Sequence, residues 1–394
     1  MSNPSLLCVP YRYKAGVLYS QVPSSNLGDF VVTRSASNSA TRVNAAGLIE
    51  TVLDNVPRLD YPLGGITAGC PALLVEPLAQ NQMIQSQDLS LAFPSQANTT
   101  PSANVSISPD GTQNADRLTF VTTGGYRLRN FSIVSGTSYT ATLFYKNVDF
   151  TTGNIFSFQV SDGVVAAMRV NINPVTNTIT QAAGPFTNVS SSIENYGNGW
   201  YRVRLSGTAS STGGGWYELV TNATKSIDLW GFQFETGLVA TSYIPTAASP
   251  VTREAETCTA TVGPFNSGSV YIAISDNDPQ PGPGIHSSGA LAVLGASSLN
   301  LHLSRSNNTR NRLWTQAASV IYTTTQDNLR LAFTWSGANI NVFQNGTKVV
   351  TNSPYAITGV HTIRFGPAEV RNRITALAVY DSVLTDVQLQ SLTQ

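Results

Sequence analysis

At 394 residues and 41% hydrophobic content, the chain exceeds the ~250–300 residues that one hydrophobic core supports and has enough apolar side chains for at least two. Charged residues make up only 11%, with 22 basic residues against 22 acidic ones, whereas an average globular chain carries roughly 25%. This balance excludes the electrostatic footprint of a nucleic-acid binder or of a protein held on an anionic membrane, and no stretch approaches the ~20 apolar residues of a membrane span.

Ser, Thr, Asn and Gln supply the polar surface beside many strand-forming Val, Ile, Leu, Tyr and Phe residues, so low charge here does not imply disorder. Such neutral surfaces suit contact with sugars or with further copies of the chain. Cys8, Cys70 and Cys258 are odd in number and far apart, which suggests neither a disulfide framework nor a zinc site. No cofactor is expected. The N-terminus has no basic segment and only a four-residue apolar run at residues 6–9, so no secretory signal is expected, and a protein made in the cytoplasm but suited to the outside fits a particle released by lysis.

In chain order, residues 1–83 read as an extended N-terminal attachment and connector region. Residues 17–22 alternate apolar and polar between Pro10 and Pro23, predicting one strand that serves either as a tether or as an edge strand of its own domain. Residues 28–80 have turn residues at short intervals and no helical period. Residues 84–247 hold short alternating stretches such as 138–145 and 201–205, the pattern of a sandwich or jelly roll. A Pro-containing segment at 245–253 predicts a linker. Residues 255–394 then predict a second all-β module, with strands at 269–274, 329–335 and 374–379. Asn345-Gly346 forms a type I′ hairpin turn in this reading, and Thr385 caps a short terminal helix. The fold class is all-β: two β-sandwich (jelly-roll) modules in tandem with an extended N-terminal region.

Several motifs carry a resemblance. Ala40-Thr41-Arg42-Val43-Asn44, Gly47-Leu48-Ile49-Glu50, Asn55-Val56-Pro57-Arg58-Leu59-Asp60-Tyr61 and Leu73-Leu74-Val75-Glu76-Pro77 are followed by Ser86-Gln87-Asp88-Leu89-Ser90 and Ser108-Pro109-Asp110-Gly111-Thr112. Asn198-Gly199-Trp200-Tyr201-Arg202-Val203, the run from Leu229 through Trp230 to Glu235, and Ser242-Tyr243-Ile244-Pro245-Thr246 complete the series. Together they resemble bacteriophage tail and head appendage proteins, fibres or spikes, in which such a run introduces a carbohydrate-binding-module-like sandwich. The C-terminal module is similar to concanavalin-like (laminin-G-like) lectin domains. The resemblance implies a virion-surface adhesin that binds host cell-surface glycan, contacts other virion proteins through its N-terminal region and assembles as a homotrimer. A purely structural capsid or tail decoration protein is the alternative, and a glycan depolymerase a third reading.

Sugar sites pair aromatic faces with amide and carboxylate groups. Trp216 and Tyr217, after the 211–215 loop, fit that composition, although Trp216 equally fits the start of a core strand. Trp314, with Arg312 and Gln316, is the second candidate. Trp200, Trp230 and Trp335 read as core anchors. Asp276 and Asp278 share a Pro-rich loop with the spacing of a calcium loop, or form a solvated hairpin with no metal. No GxSxG, HExxH or phosphate-binding loop is present. Glu254 and Glu256 have alternate-residue spacing but lie in the expected linker. No catalytic residue is assigned, and a non-enzymatic protein is expected.

Overall fold

The computed structural model describes residues 4–10, 13–14, 17–18, 29–35, 39–163, 167–184, 186–275, 289–295, 299–306, 309–315, 320–324, 328–337, 339–354, 359–366 and 371–394. Across these residues the chain is built from antiparallel sheets, with helical segments confined to Gly65–Ala68, Leu89–Ala92 and Asp386–Thr393. The all-β expectation holds. Among the described residues no helix is long and apolar enough to cross a membrane.

Two six-stranded sheets form the first sandwich. One runs in the order Ser95–Ala97, Tyr126–Ile133, Gly213–Thr221, Phe156–Ser161, Ala167–Asn173, Thr178–Ala182. The other runs Thr99–Ser106, Ala115–Phe120, Ser226–Thr236, Ser138–Asn147, Trp200–Thr208, Thr187–Gly197. Phe156, Phe158, Val160, Tyr217 and Leu219 from the first sheet pack on Leu143, Tyr145, Leu205, Phe232 and Phe234 from the second. Each set sits at alternate positions, as the two-residue period of a strand requires.

The second sheet is covered on its outer face as well. Phe144, Trp200, Trp230 and Tyr243 pack there with Ile49 from the Ile49–Val52 strand. Strict alternation would put Trp230 and Phe232 on the same face. The ladder shifts by one residue between Thr142 and Phe144, opposite Gly231, whose φ is +65°. This bulge sends Trp230 outward and Phe232 inward. A Cβ on Gly231 would lie 2.8 Å from the Phe144 ring, so the close approach itself requires glycine.

The second sandwich pairs an eight-stranded with a nine-stranded sheet, and here the structure differs from the expected separation of an N-terminal region. Leu6–Cys8 and Ala72–Val75 pair with Asn372–Tyr380, and Phe30–Thr33 pairs with Thr257–Phe265. Leu6, Cys8, Leu18, Phe30, Val32, Leu73 and Val75 share one core with Ile272, Phe333, Trp335 and Leu377. The N-terminal segments are therefore strands of the C-terminal sandwich, because their alternate apolar residues have no other face to bury against. The expected helix is Asp386–Thr393, with Thr385 and Gln388 forming a capping box. Asn345 and Gly346 both take positive φ between the paired residues Gln344 and Thr347, as a type I′ turn requires.

A buried charge cluster joins the modules. Glu76 accepts from Arg58 at 2.8 Å and forms ion pairs with Arg253 at 3.0 Å and Arg371 at 3.6 Å. The Ser242 amide and hydroxyl also donate to Glu76, at 2.8 and 2.7 Å. Glu256 binds Arg34 at 2.6 Å and chelates Arg58 through its Nε and Nη2, while Arg373 pairs with Asp60. The expected linker thus departs from a free connection: Val251–Arg253 is a strand on Ala79–Asn81, and Arg253 and Glu256 are 0% and 1% exposed.

Two outcomes follow for stability. Phe30 is fully buried and stacked on Phe365 at 5.2 Å, while its neighbour Val31 is exposed; Phe30→Ala should cost about 3–5 kcal/mol in denaturant unfolding and Val31→Ala less than about 0.5 kcal/mol. Burial raises the Glu76 carboxyl, but Arg253, Arg58 and Arg371 with the Ser242 hydroxyl outweigh it and hold Glu76 well below the usual carboxylate range. Its folded value lies below its unfolded value, so its stabilisation is complete above about pH 5 and declines as pH falls. Glu76→Gln should lower stability at pH 7 by about 3–5 kcal/mol and flatten the acid limb of a melting-temperature profile.

Candidate carbohydrate-binding face

The candidate face is the outer face of the first sheet of the first sandwich, where Gln159 on the central strand is buried and its neighbours Trp216, Glu218 and Arg169 are half-buried or exposed. In the Gly213–Thr221 strand, Tyr217, Leu219 and Thr221 are buried while Trp216, Glu218 and Val220 are half-buried. Ladder register extends the outer row: Asn130 stands opposite Trp216, Glu218 pairs with Gln159, and Gln159 pairs with Arg169. Paired residues of an antiparallel ladder share a face, so Trp216, Glu218, Gln159 and Arg169 present side by side.

These side chains hold one another in place. Arg169 Nε donates to Gln159 Oε1 at 2.6 Å. Because a guanidinium only donates, this contact turns the Gln159 amide nitrogen toward the other side, where it donates to Glu218 Oε2. Trp216 Nε1 donates to the same Glu218 oxygen at 3.3 Å, which fixes the indole edge and leaves its ring half-exposed. Glu218 Oε1 and the Arg169 Nη groups make no further hydrogen bond among the described residues. The face therefore offers a fixed aromatic ring, a free acceptor and free donors, which is what a saccharide with an apolar C–H face and a rim of hydroxyls needs.

Of the sequence candidates, Trp216 lies on this face. Tyr217 is corrected to a core residue: at 0% exposure it packs against Phe93, Phe158 and Phe234 and donates to the Thr142 carbonyl at 3.2 Å. One residue separates it from Trp216, and one residue on a strand reverses the face. Arg312 and Trp314 lie in the Thr309–Thr315 strand, opposite Ser304 and His302. Gln316, Asp276 and Asp278 lie outside the described residues, and among the described residues no group of three or more His, Cys, Asp or Glu side chains could hold a metal. Trp200, Trp230 and Trp335 are buried, at 1%, 0% and 0% exposure.

Glu218, Gln159 and Arg169 were absent from the sequence candidates. Glu218 carried a signal, since it sits two residues from Trp216 and so on the same face. Gln159 and Arg169 depend on strand register, which alternation within a single strand does not give.

No protein-family model matches the chain, and no curated protein matches it. Among solved structures, it is similar to domain 4 of AbnA, a GH43 extracellular arabinanase from Geobacillus stearothermophilus, in complex with arabinotriose, at 20% identity over 37% of this chain and 78% of that one, with a TM-score of 0.27. It is also similar to Trypanosoma rangeli sialidase in complex with sialic acid, at 11% identity over 93% of this chain and 77% of that one, with a TM-score of 0.29. The full extracellular region of zebrafish Gpr126/Adgrg6 matches at 10% identity over 75% of this chain and 37% of that one, with a TM-score of 0.24. Nothing in these matches identifies a bacteriophage protein or a concanavalin-like lectin. The expectation of a non-enzymatic chain is corrected, since the matches include a sialidase and a domain of an arabinanase. With TM-scores from 0.24 to 0.29, the likeness does not assign their activities to this chain.

The two neighbours on the Gly213–Thr221 strand should separate in a melting experiment. Trp216→Ala should leave stability within about 1 kcal/mol, as a partly exposed side chain does, whereas Tyr217→Ala should lower it by about 3–5 kcal/mol.

Proposed function

We propose that this chain is a carbohydrate-binding surface protein whose ligand lies across the outer face of the Gly213–Thr221 sheet, stacked on Trp216. The observation that carries the reading is the relay from Arg169 through Gln159 to Glu218 and Trp216. It locks four side chains before any ligand arrives, and such preorganisation reduces the entropy lost on binding. The other sheet of the same sandwich has its outer face occupied by Ile49, Trp200, Trp230 and Tyr243, whereas Trp216 and Glu218 stay partly exposed on this one.

The finer part of the proposal is a virion-surface adhesin of a bacterial virus that recognises host glycan. It rests on the motif resemblance over about residues 40–394, and multiple copies on one particle raise weak single-site affinity through avidity. The test is binding of the full chain to a panel of bacterial surface polysaccharides, with reducing-end release assayed in the same tubes. Saturable binding that Trp216→Ala weakens roughly tenfold or more supports the reading. Binding indifferent to Trp216→Ala, or absent from every polysaccharide, overturns it. Release of reducing ends overturns adhesion as the whole function and makes the chain a glycan-processing enzyme.

A further inference from the structure

A second concave site lies on the opposite side of the first sandwich, where the hairpin of Ala40–Val43 and Ile49–Val52 meets the covered sheet. It is a cleft of about 220 Å³ lined by Leu48, Ile107, Pro109, Lys146, Tyr196 and Asn198. Drug-sized sites run to about 300–1,000 Å³, so this volume limits the occupant to roughly one ring-sized residue.

Three polar groups in it are unspent. Lys146 Nζ, the Asn198 side-chain amide and the Tyr196 hydroxyl have no hydrogen-bond or ion-pair partner among the described residues, although Trp200 beside them donates to the Ile107 carbonyl at 2.9 Å. Asn198 and Gly199 form the turn with φ of +52° and +81°, and a Cβ on Gly199 would lie 3.4 Å from Lys146 Cε, so the turn packs against the lysine stem. Leu48, Ile107 and Pro109 supply an apolar wall.

Burial raises the Tyr196 hydroxyl and Glu194 adds to that, against Arg202, Arg371 and Arg373, so Tyr196 presents a neutral hydroxyl to the cleft. Asp110, in the loop beside Ser108, is engaged by the Ser108 and Thr112 hydroxyls at 2.7 Å and by the Asn114 amide at 3.1 Å. Lys146 lines the cleft with no ion-pair partner among the described residues.

We propose that this cleft is a second glycan subsite, selective for a carboxylated sugar of the uronic-acid class. Lys146 binds the carboxylate, Asn198 and Tyr196 bond ring hydroxyls, and Leu48, Ile107 and Pro109 contact the C–H face. It is separate from the Trp216 face, being on the other sheet, so either site can fail without the other.

The test titrates the full chain with methyl glucuronide and with methyl glucoside, followed by saturation-transfer NMR. Methyl glucuronide should bind saturably to the wild type and equally to Trp216→Ala. Lys146→Gln, at a half-exposed position that leaves the fold intact, should weaken it roughly tenfold, the effect of losing one charge-assisted contact. Methyl glucoside should bind the wild type no better than methyl glucuronide binds Lys146→Gln. No saturable binding of the glucuronide, binding unchanged in Lys146→Gln, or binding lost in Trp216→Ala would each overturn the subsite.

Discussion

Burying an ion removes its hydration, and only a partner placed in the same dry site restores that loss. In this protein the requirement is met by residues that are distant in sequence: Arg34, Arg58 and Glu76 from the first 83 residues, Ser242, Arg253 and Glu256 from the crossing between sandwiches, and Arg371 from the last strand region. None of these charges is tolerable until the others arrive. The cluster therefore ties the N-terminal strands and the crossing segment to the last strand region.

This constraint accounts for several of the chain's polar residues. Arg58 and Glu76 are in the cluster itself, and Asp60 accepts from the Val43 amide while pairing with Arg373. Ser86 bonds the Tyr243 hydroxyl, Thr41 donates to the Tyr243 carbonyl, Asp88 caps a helical turn, and Gly231 makes the bulge. Arg58, Asp60, Glu76, Thr41 and Tyr243 thus lie at the joint between the modules.

Period-two alternation made the strands, the Asn345-Gly346 hairpin and the capped terminal helix legible in the sequence, because each is a local property of a few consecutive residues. Three things were not local. Phe30–Thr33 joins Thr257–Phe265 across more than 200 residues, and nothing in either segment names its partner. The ion cluster looks like an ordinary scatter of Arg and Glu until the chain is folded. The candidate face needed the registers that bring Glu218 to Gln159 and Gln159 to Arg169. Trp216 was found because it is an aromatic beside a glycine-rich loop; Tyr217 was misplaced because adjacent aromatics on a strand look equivalent until the inward face is known.

The two sheets of the first sandwich now divide their work. One buries both faces and anchors the connector, and the other keeps one face open with its polar side chains already bonded to each other. The most direct test of that division is a crystal structure of the chain with the tightest-binding oligosaccharide from a polysaccharide panel. A sugar ring stacked on Trp216, with hydroxyls bonded to Glu218 Oε1 and the Arg169 guanidinium, is the predicted result. A saccharide seated elsewhere, with the Trp216 face empty, would contradict the account.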